Sequence, residues 1–176
     1  MKLVDILKET KSIAIFDADD TLIKTDAWIY VTHKDGKVEK LDPAEFAVYN
    51  KKSGDEFDFS EFNKMLRNPK IIKKNVNMLK KYLKIAEKSP SKKVTILTAR
   101  SLGFPIKHFF NTIGIDPYVV ALGTNDPKMK TRWIEKKIQS GYDNIFFIDD
   151  SSKNIRAVEN LKRKYPDIKI RTVLAK

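Results

Sequence analysis

The stretch SIAIFDADDTLIKT, residues 12–25, sets an apolar run directly against a knot of acid. Ile13, Ala14, Ile15 and Phe16 read as a strand buried on both faces, because no polar residue interrupts them. Asp17, Asp19 and Asp20 follow at once. Carboxylates so close repel one another, and at the end of a buried strand they are partly desolvated as well. Two readings account for them. Either a turn uses their side chains as caps, or something positive sits among them.

Four more segments read as strands: KVTILT (93–98), PYVVAL (117–122), NIFFID (144–149) and IKIRTVL (168–174). Helical patterns separate them. One lies near 70–89, with Ile72, Val76, Leu79, Leu83 and Ala86 inward. A second lies near 104–113, with Phe109, Phe110 and Ile113 on its apolar side. A third opens at Asp126 as N-cap and Pro127 at the first helical position. The last lies near 152–164, with Ile155, Val158 and Leu161 inward. Strands alternating with helices predict an α/β fold, a doubly wound, mainly parallel five-stranded Rossmann-like sheet.

Residues 25–69 break the alternation and read as an insertion, so that 1–24 and 70–176 form the α/β core. WIYVTHKDGKVEKL has the pattern of a hairpin turning at Asp35-Gly36. DPAEFAVYN reads as a short helix capped by Asp42 and started by Pro43. SGDEFDFSEFNKMLRN reads as a loop and then a short helix capped by Ser60.

The 176 residues are enough to bury one core, and 41% hydrophobic with 33% charged describes a globular chain. No apolar run reaches the roughly 18–20 residues of a membrane span. MKLVDILKETK alternates like a short amphipathic helix and, with Asp5 and Glu9, does not read as a signal peptide. There is no cysteine, hence no disulfide framework, thiolate metal site or thiol nucleophile, which fits a cytoplasmic setting. His33 and His108 are isolated and lack paired metal-ligand spacing. The net charge is +12, and Lys73, Lys74, Lys80, Lys81, Lys84 and Lys88 crowd the 70–89 helix. They form either a solvated face or the footprint of a polyanion.

Ligands of open α/β sheets bind beyond the carboxyl ends of the strands. Here those ends carry Asp17-Ala18-Asp19-Asp20-Thr21, Thr98-Ala99-Arg100 and Asp149-Asp150-Ser151-Ser152, while Lys128 and Lys130 open the helix before the fourth strand. Carboxylates, a hydroxyl and a lysine suit Mg²⁺ with a phosphate group. Taken singly, the same residues are turn formers and caps. Asp19, Asp20 and Thr21 turn a chain, Thr98 closes a strand, and Asp150 or Ser152 caps the last helix. Ile134 and Ile138 mark a buried stripe; Lys130 is one turn before Ile134, whereas Lys128 is about 120° away. Helix geometry therefore favours Lys130.

The ordered set D-A-D-D-T, VTILT, a lysine at a helix start and IFFIDD resembles the haloacid dehalogenase (HAD) superfamily of aspartyl-phosphate phosphohydrolases. By that resemblance Asp17 is a nucleophile and Mg²⁺ ligand. Asp19 is the general acid/base, with its backbone carbonyl on the metal. Thr98 holds the phosphoryl group with the Ala99 and Ala18 backbone, and Asp150 and Asp149 complete the metal site, Asp149 directly or through water. Arg100 is either a substrate contact or the partner of a surface acid, and Lys128 is a further candidate contact. The insertion occupies the place of a C1-type cap. Its DGKVEKL…EF…GDEFDFSEF layout is similar to small phage-encoded HAD proteins, which implies the host cytoplasm. A small cap and basic charge suggest a polynucleotide 3′-phosphatase acting on nucleic-acid ends, without a Gly-x-x-x-x-Gly-Lys kinase loop. A nucleotide or small-metabolite phosphatase is the alternative, with Trp28, Tyr30, Phe46, Tyr49, Phe57, Phe59 and Phe62 either stacking a base or forming the insertion's own core. A HAD-like module that binds phosphate or nucleic acid without turnover is another.

Overall fold

A computed structural model describes residues 10–175. The expected amphipathic segment at the N-terminus lies outside the described residues. The core is a five-stranded, all-parallel, Rossmann-like sheet. Its strands are β1 (Ser12–Phe16), β7 (Lys92–Thr98), β8 (Val119–Ala121), β9 (Asn144–Asp149) and β10 (Lys169–Leu174), in the order β10-β9-β1-β7-β8. The chain moves from β1 to β7 and β8 on one side, then returns to lay β9 and β10 on the other. β1 is therefore central, and the change of direction falls beside its carboxyl end, where such sheets bind ligands.

The unbroken apolar strands follow from burial on both faces. Ala14, Phe16, Val94, Ile96, Phe146 and Ile148 point to one side, against Val76 and Leu79 of α2 (Lys73–Glu87) and Ile106 and Phe110 of α3 (Phe104–Thr112). Ile13, Ile15, Leu97, Ile145 and Phe147 point to the other. There they meet Ile134 and Ile138 of α4 (Pro127–Gln139), Ile155 and Val158 of α5 (Ser152–Glu159) and Leu161 of α6 (Leu161–Lys164). The lysines of α2 all face solvent. No helix of the described residues is long and apolar enough to cross a membrane.

The expected helix 152–164 is divided at Asn160, and α3 ends sooner than its pattern suggests. Ile113 is the C-cap of α3 and 39% exposed, while Pro105, Ile106 and Phe110 are buried and Ile115, just past the helix, fills the core. Phe109 is only partly buried.

Between β1 and α2 the chain makes a separate excursion. β2 (Ile23–Lys24) pairs antiparallel with β6 (Lys70–Ile71), so the excursion departs and returns at one place. Within it, β3 (Ile29–Thr32) lies between β4 (Val38–Leu41) and β5 (Glu56–Asp58), antiparallel to both. The β3–β4 turn uses Gly36 at φ 82°, a left-handed conformation that suits glycine. Asp42 caps α1 (Pro43–Val48) in a reciprocal capping box with Glu45. Residues 56–58 form a strand rather than the expected loop, because Phe57 packs on Phe46 and Tyr49 while Glu56 stays exposed. Ser60 does not cap a helix; it opens a 3-10 turn (Ser60–Asn63) and donates its hydroxyl to Asp58. Phe46, Phe57, Phe59 and Phe62 contact one another in sequence, so these rings serve the excursion's own small core. Buried Asp55 ties that core together. It accepts from the Tyr49 hydroxyl at 2.7 Å and the Lys52 amide at 2.8 Å, and lies 2.9 Å from His33 Nδ1.

Truncating Phe110, fully buried between α3 and the sheet, is expected to lower stability by about 3–5 kcal/mol in urea unfolding. Lys81→Ala, on the solvent face of α2, should change it by no more than about 0.5 kcal/mol.

Candidate active site

Parallel register sets the site. Phe16 pairs with Ile148, so Asp17 and Asp149 are each one residue further along neighbouring strands, level with one another. Both are buried. The Lys130 ammonium lies between them, 2.6 Å from Asp17 Oδ1 and 2.7 Å from Asp149 Oδ2. Lys130 reaches this point because it shares the inward face of α4 with Ile134 and Ile138, and it is itself only 4% exposed. Lys128 remains outside, exposed, with its amide on the capping carboxylate of Asp126.

Asp150 completes the cluster. One oxygen each from Asp17, Asp149 and Asp150 lie within 4.8 Å of one another. No other group of three metal-ligating side chains is found among the described residues. The donors are all carboxylate oxygens, the hard ligands that Mg²⁺ or Ca²⁺ prefers over softer metals. Three carboxylates and the one ammonium among them carry a net charge of two negatives, which one divalent cation balances. The donor set therefore fits such an ion.

Electrostatics agree with this accounting. Burial, reinforced by Asp149 and Asp150 and opposed by Lys130, pushes the Asp17 carboxyl well above the usual range. Burial and the neighbouring Asp149 and Asp20 push Asp150 up to about 6. Burial disfavours the Lys130 charge, but Asp17 and Asp149 outweigh it and hold the ammonium firmly protonated.

The loop after β1 is shaped by its own acids. Asp20 adopts φ 55°, a left-handed conformation that Asp tolerates better than most residues, and its amide donates to Ile23 O at 2.8 Å. Asp20 thus turns the chain. Thr21, fully buried, links the loop to the acid pair: its Oγ1 accepts from the Asp150 amide at 3.0 Å and lies 3.4 Å from Asp150 Oδ1. Ala18 is buried, and its carbonyl accepts from Leu22 and Ile23. Thr98 ends β7 beside this loop, buried, its hydroxyl oxygen accepting from the Arg100 amide at 3.2 Å; Ala99 between them is half-buried.

Asp19 turns away from the cluster. Arg100 grips both its oxygens, Nε at 2.8 Å and Nη2 at 2.6 Å, and donates from Nη1 to Phe62 O at 2.8 Å. The guanidinium also stands over the Phe62 ring at 4.9 Å. Arg100 does pair with an acid, its guanidinium buried and Asp19 partly exposed.

Three supporting residues escaped the sequence reading. Asn154 donates to both Asp149 oxygens at 3.0 and 2.9 Å. Buried Asn75 of α2 donates to Thr21 O at 2.8 Å. Ser151, rather than Asp150 or Ser152, caps α5, accepting from the Asn154 amide, while its own amide donates to Asp149. An asparagine in the first turn after an acid pair is a signal by which Asn154 could have been found; Asn75, among the lysines of α2, gives none.

Comparison with protein-family models, curated proteins and solved structures found no match for this chain.

Two predictions test the cluster. The folded-state value of Asp150 lies above its ordinary 3.8, so protonation favours the fold below about pH 4 and that contribution fades as pH rises through about 6. A divalent cation needs the ionised form. Calorimetry should therefore show Mg²⁺ binding weaker at pH 5.5 than at pH 7.5, with proton release, and Asp150→Asn should weaken binding and flatten the dependence. Lys130→Met leaves Asp17 and Asp149 facing each other unpaired; it should cost about 3–5 kcal/mol in denaturant unfolding at pH 7 and recover partly toward pH 5.

Proposed function

We propose that this protein is a Mg²⁺-dependent phosphatase of the HAD type, hydrolysing phosphomonoesters through an aspartyl-phosphate on Asp17. The observation that carries the reading is the Asp17–Lys130–Asp149 arrangement at the carboxyl end of the central strand, with Asp150 adjoining. A structural ion pair would need one carboxylate. Here two grip one ammonium and a third adjoins them, in the crevice where an open sheet binds ligands.

Asp17, Asp149 and Asp150, with the Asp19 carbonyl, would hold the cation, which when bound neutralises charge on the phosphoryl oxygens. The chain's own groups do the rest. A carboxylate oxygen of Asp17 attacks phosphorus, and the bond to the ester oxygen breaks. Asp19, with one oxygen freed from its pair with Arg100, would carry a proton to that oxygen, so the alcohol departs neutral. Asp19 then takes a proton from water as the water oxygen attacks phosphorus, the bond to Asp17 breaks, and inorganic phosphate is released. Lys130 supplies fixed positive charge beside Asp17 throughout, and the Thr98 hydroxyl, with the Ala18 and Ala99 backbone, would hold the phosphoryl oxygens. Arg100 sets the place of Asp19. In this reading the excursion between β2 and β6 is a small C1-type cap and leaves the site open enough for the end of a nucleic-acid strand. Nucleic-acid 3′-phosphate is the favoured substrate over a free nucleotide or small metabolite. A binding module without turnover has less support, since it has no use for an acid/base held two residues from a buried nucleophile.

Mg²⁺-dependent phosphate release from an aryl phosphate and from a 3′-phosphorylated oligonucleotide tests the reading. Asp17→Asn should lower release by at least about 10³-fold while retaining the fold. A preference for the oligonucleotide that fades between low and high salt supports the strand-end substrate. Metal binding without release from any phosphate ester would identify a binding module instead.

A further inference from the structure

A cavity of about 150 Å³ opens between the excursion and the core, with Arg100, the partner of Asp19, in its wall. Its walls include Lys64, Arg67 and Arg100, with Glu61, Ala27 and Leu66. The three cations are held differently. Arg67 donates to Asp26 O and stands 3.6 Å from Glu61, whose oxygens also accept from the Trp28 amide and the Tyr30 hydroxyl. Arg100 spends three of a guanidinium's five N–H groups on Asp19 and Phe62, leaving one on each terminal nitrogen. The Lys64 ammonium has no carboxylate at ion-pair distance among the described residues. Lys64 lies near Asp58 and Glu61 but closes an ion pair with neither, so its exposed ammonium is the cation of this wall left to meet a ligand.

The cavity shares one wall residue with the site: Arg100, which grips Asp19, the group that the phosphatase reading sets against the departing alcohol. Arg100 belongs to both places. No aromatic ring lines the cavity, so a stacked base is not what its walls recognise. Cations with spare N–H groups in a partly enclosed cleft recognise a phosphate or diester.

Resting on the phosphatase reading above, we propose that this cavity is a second anion subsite, and that the protein prefers phosphomonoesters whose alcohol carries another phosphate group. A 3′-phosphorylated strand end, with its next diester, and a sugar bisphosphate both have this chemistry. Lys64 is the specificity-determining residue: it touches neither the nucleophile nor the metal cluster and acts on the remote charge.

The test compares kcat/KM for Mg²⁺-dependent phosphate release within two substrate pairs. One pair is a 3′-phosphorylated dinucleotide with a phosphodiester or a neutral methylphosphonate linkage. The other is a hexose bisphosphate and its monophosphate. The charged member should be favoured about tenfold, chiefly through KM, in at least one pair. The pair with the larger ratio names the source of the second phosphate. In Lys64→Glu that ratio should fall to about one, and Lys64→Gln should lie between. Turnover that depends on Asp17 but shows no charge preference in either pair overturns the subsite and leaves the phosphatase standing, as does a preference unchanged in Lys64→Glu. No turnover of any of the four substrates overturns both.

Discussion

Everything around the candidate site depends on one ammonium held between two buried carboxylates. Lys130 is the cation that lets β1 and β9 end side by side in aspartate. Two carboxylates level on adjacent strands would otherwise repel where burial leaves them little water. The ammonium offsets one charge and fixes the orientation of both groups. It does not neutralise the cluster, because Asp150 adds a third acid. The fold therefore maintains a deficit of positive charge at a fixed point, and that deficit is the physical basis for expecting a divalent cation there.

The rest of the architecture delivers these groups. Parallel pairing fixes the height of Asp17 against Asp149, and α4 buries its stripe of Ile134 and Ile138 so that Lys130 descends onto the strand ends. Around this, a polar frame holds each acid by its own partner: Asn154 on Asp149, Thr21 on Asp150, Arg100 on Asp19. Asn75 ties the frame to α2 through the Thr21 carbonyl. Each of these side chains satisfies a polar group that would otherwise be costly at partial burial.

What could be read in advance had a local signature. Unbroken apolar runs marked the strands, acids at their ends marked the crevice, and the helical period placed Lys130 and not Lys128 over the buried stripe. What could not be read depended on distant partners. Arg100 and Asp19 are 81 positions apart, and nothing near Arg100 in sequence distinguishes a buried bidentate pair from a substrate contact. β5 is a three-residue strand, too short for its alternation to separate it from a loop. Ile113 continued the apolar pattern of α3 but fell beyond the last helical turn, where period no longer decides which way a side chain faces. The Lys64 cavity has no sequence pattern at all, since it exists only where the excursion folds back against the core.

The Nη1 bond from Arg100 to Phe62 O joins the excursion to the same guanidinium that orients Asp19. Phe62 is in the 3-10 turn, and its ring lies under the arginine as well as its carbonyl beside it. The excursion is consequently part of the frame that holds Asp19 and not merely a cover above it. If it swung outward as a rigid flap, it would strip Arg100 of one anchor at the moment of opening. Evolution is bound by the same joint: a replacement excursion must bring back a carbonyl and an apolar face at that spot, or find Asp19 another support. Exchange of this segment for another would here loosen Asp19 before it could bring any gain in recognition.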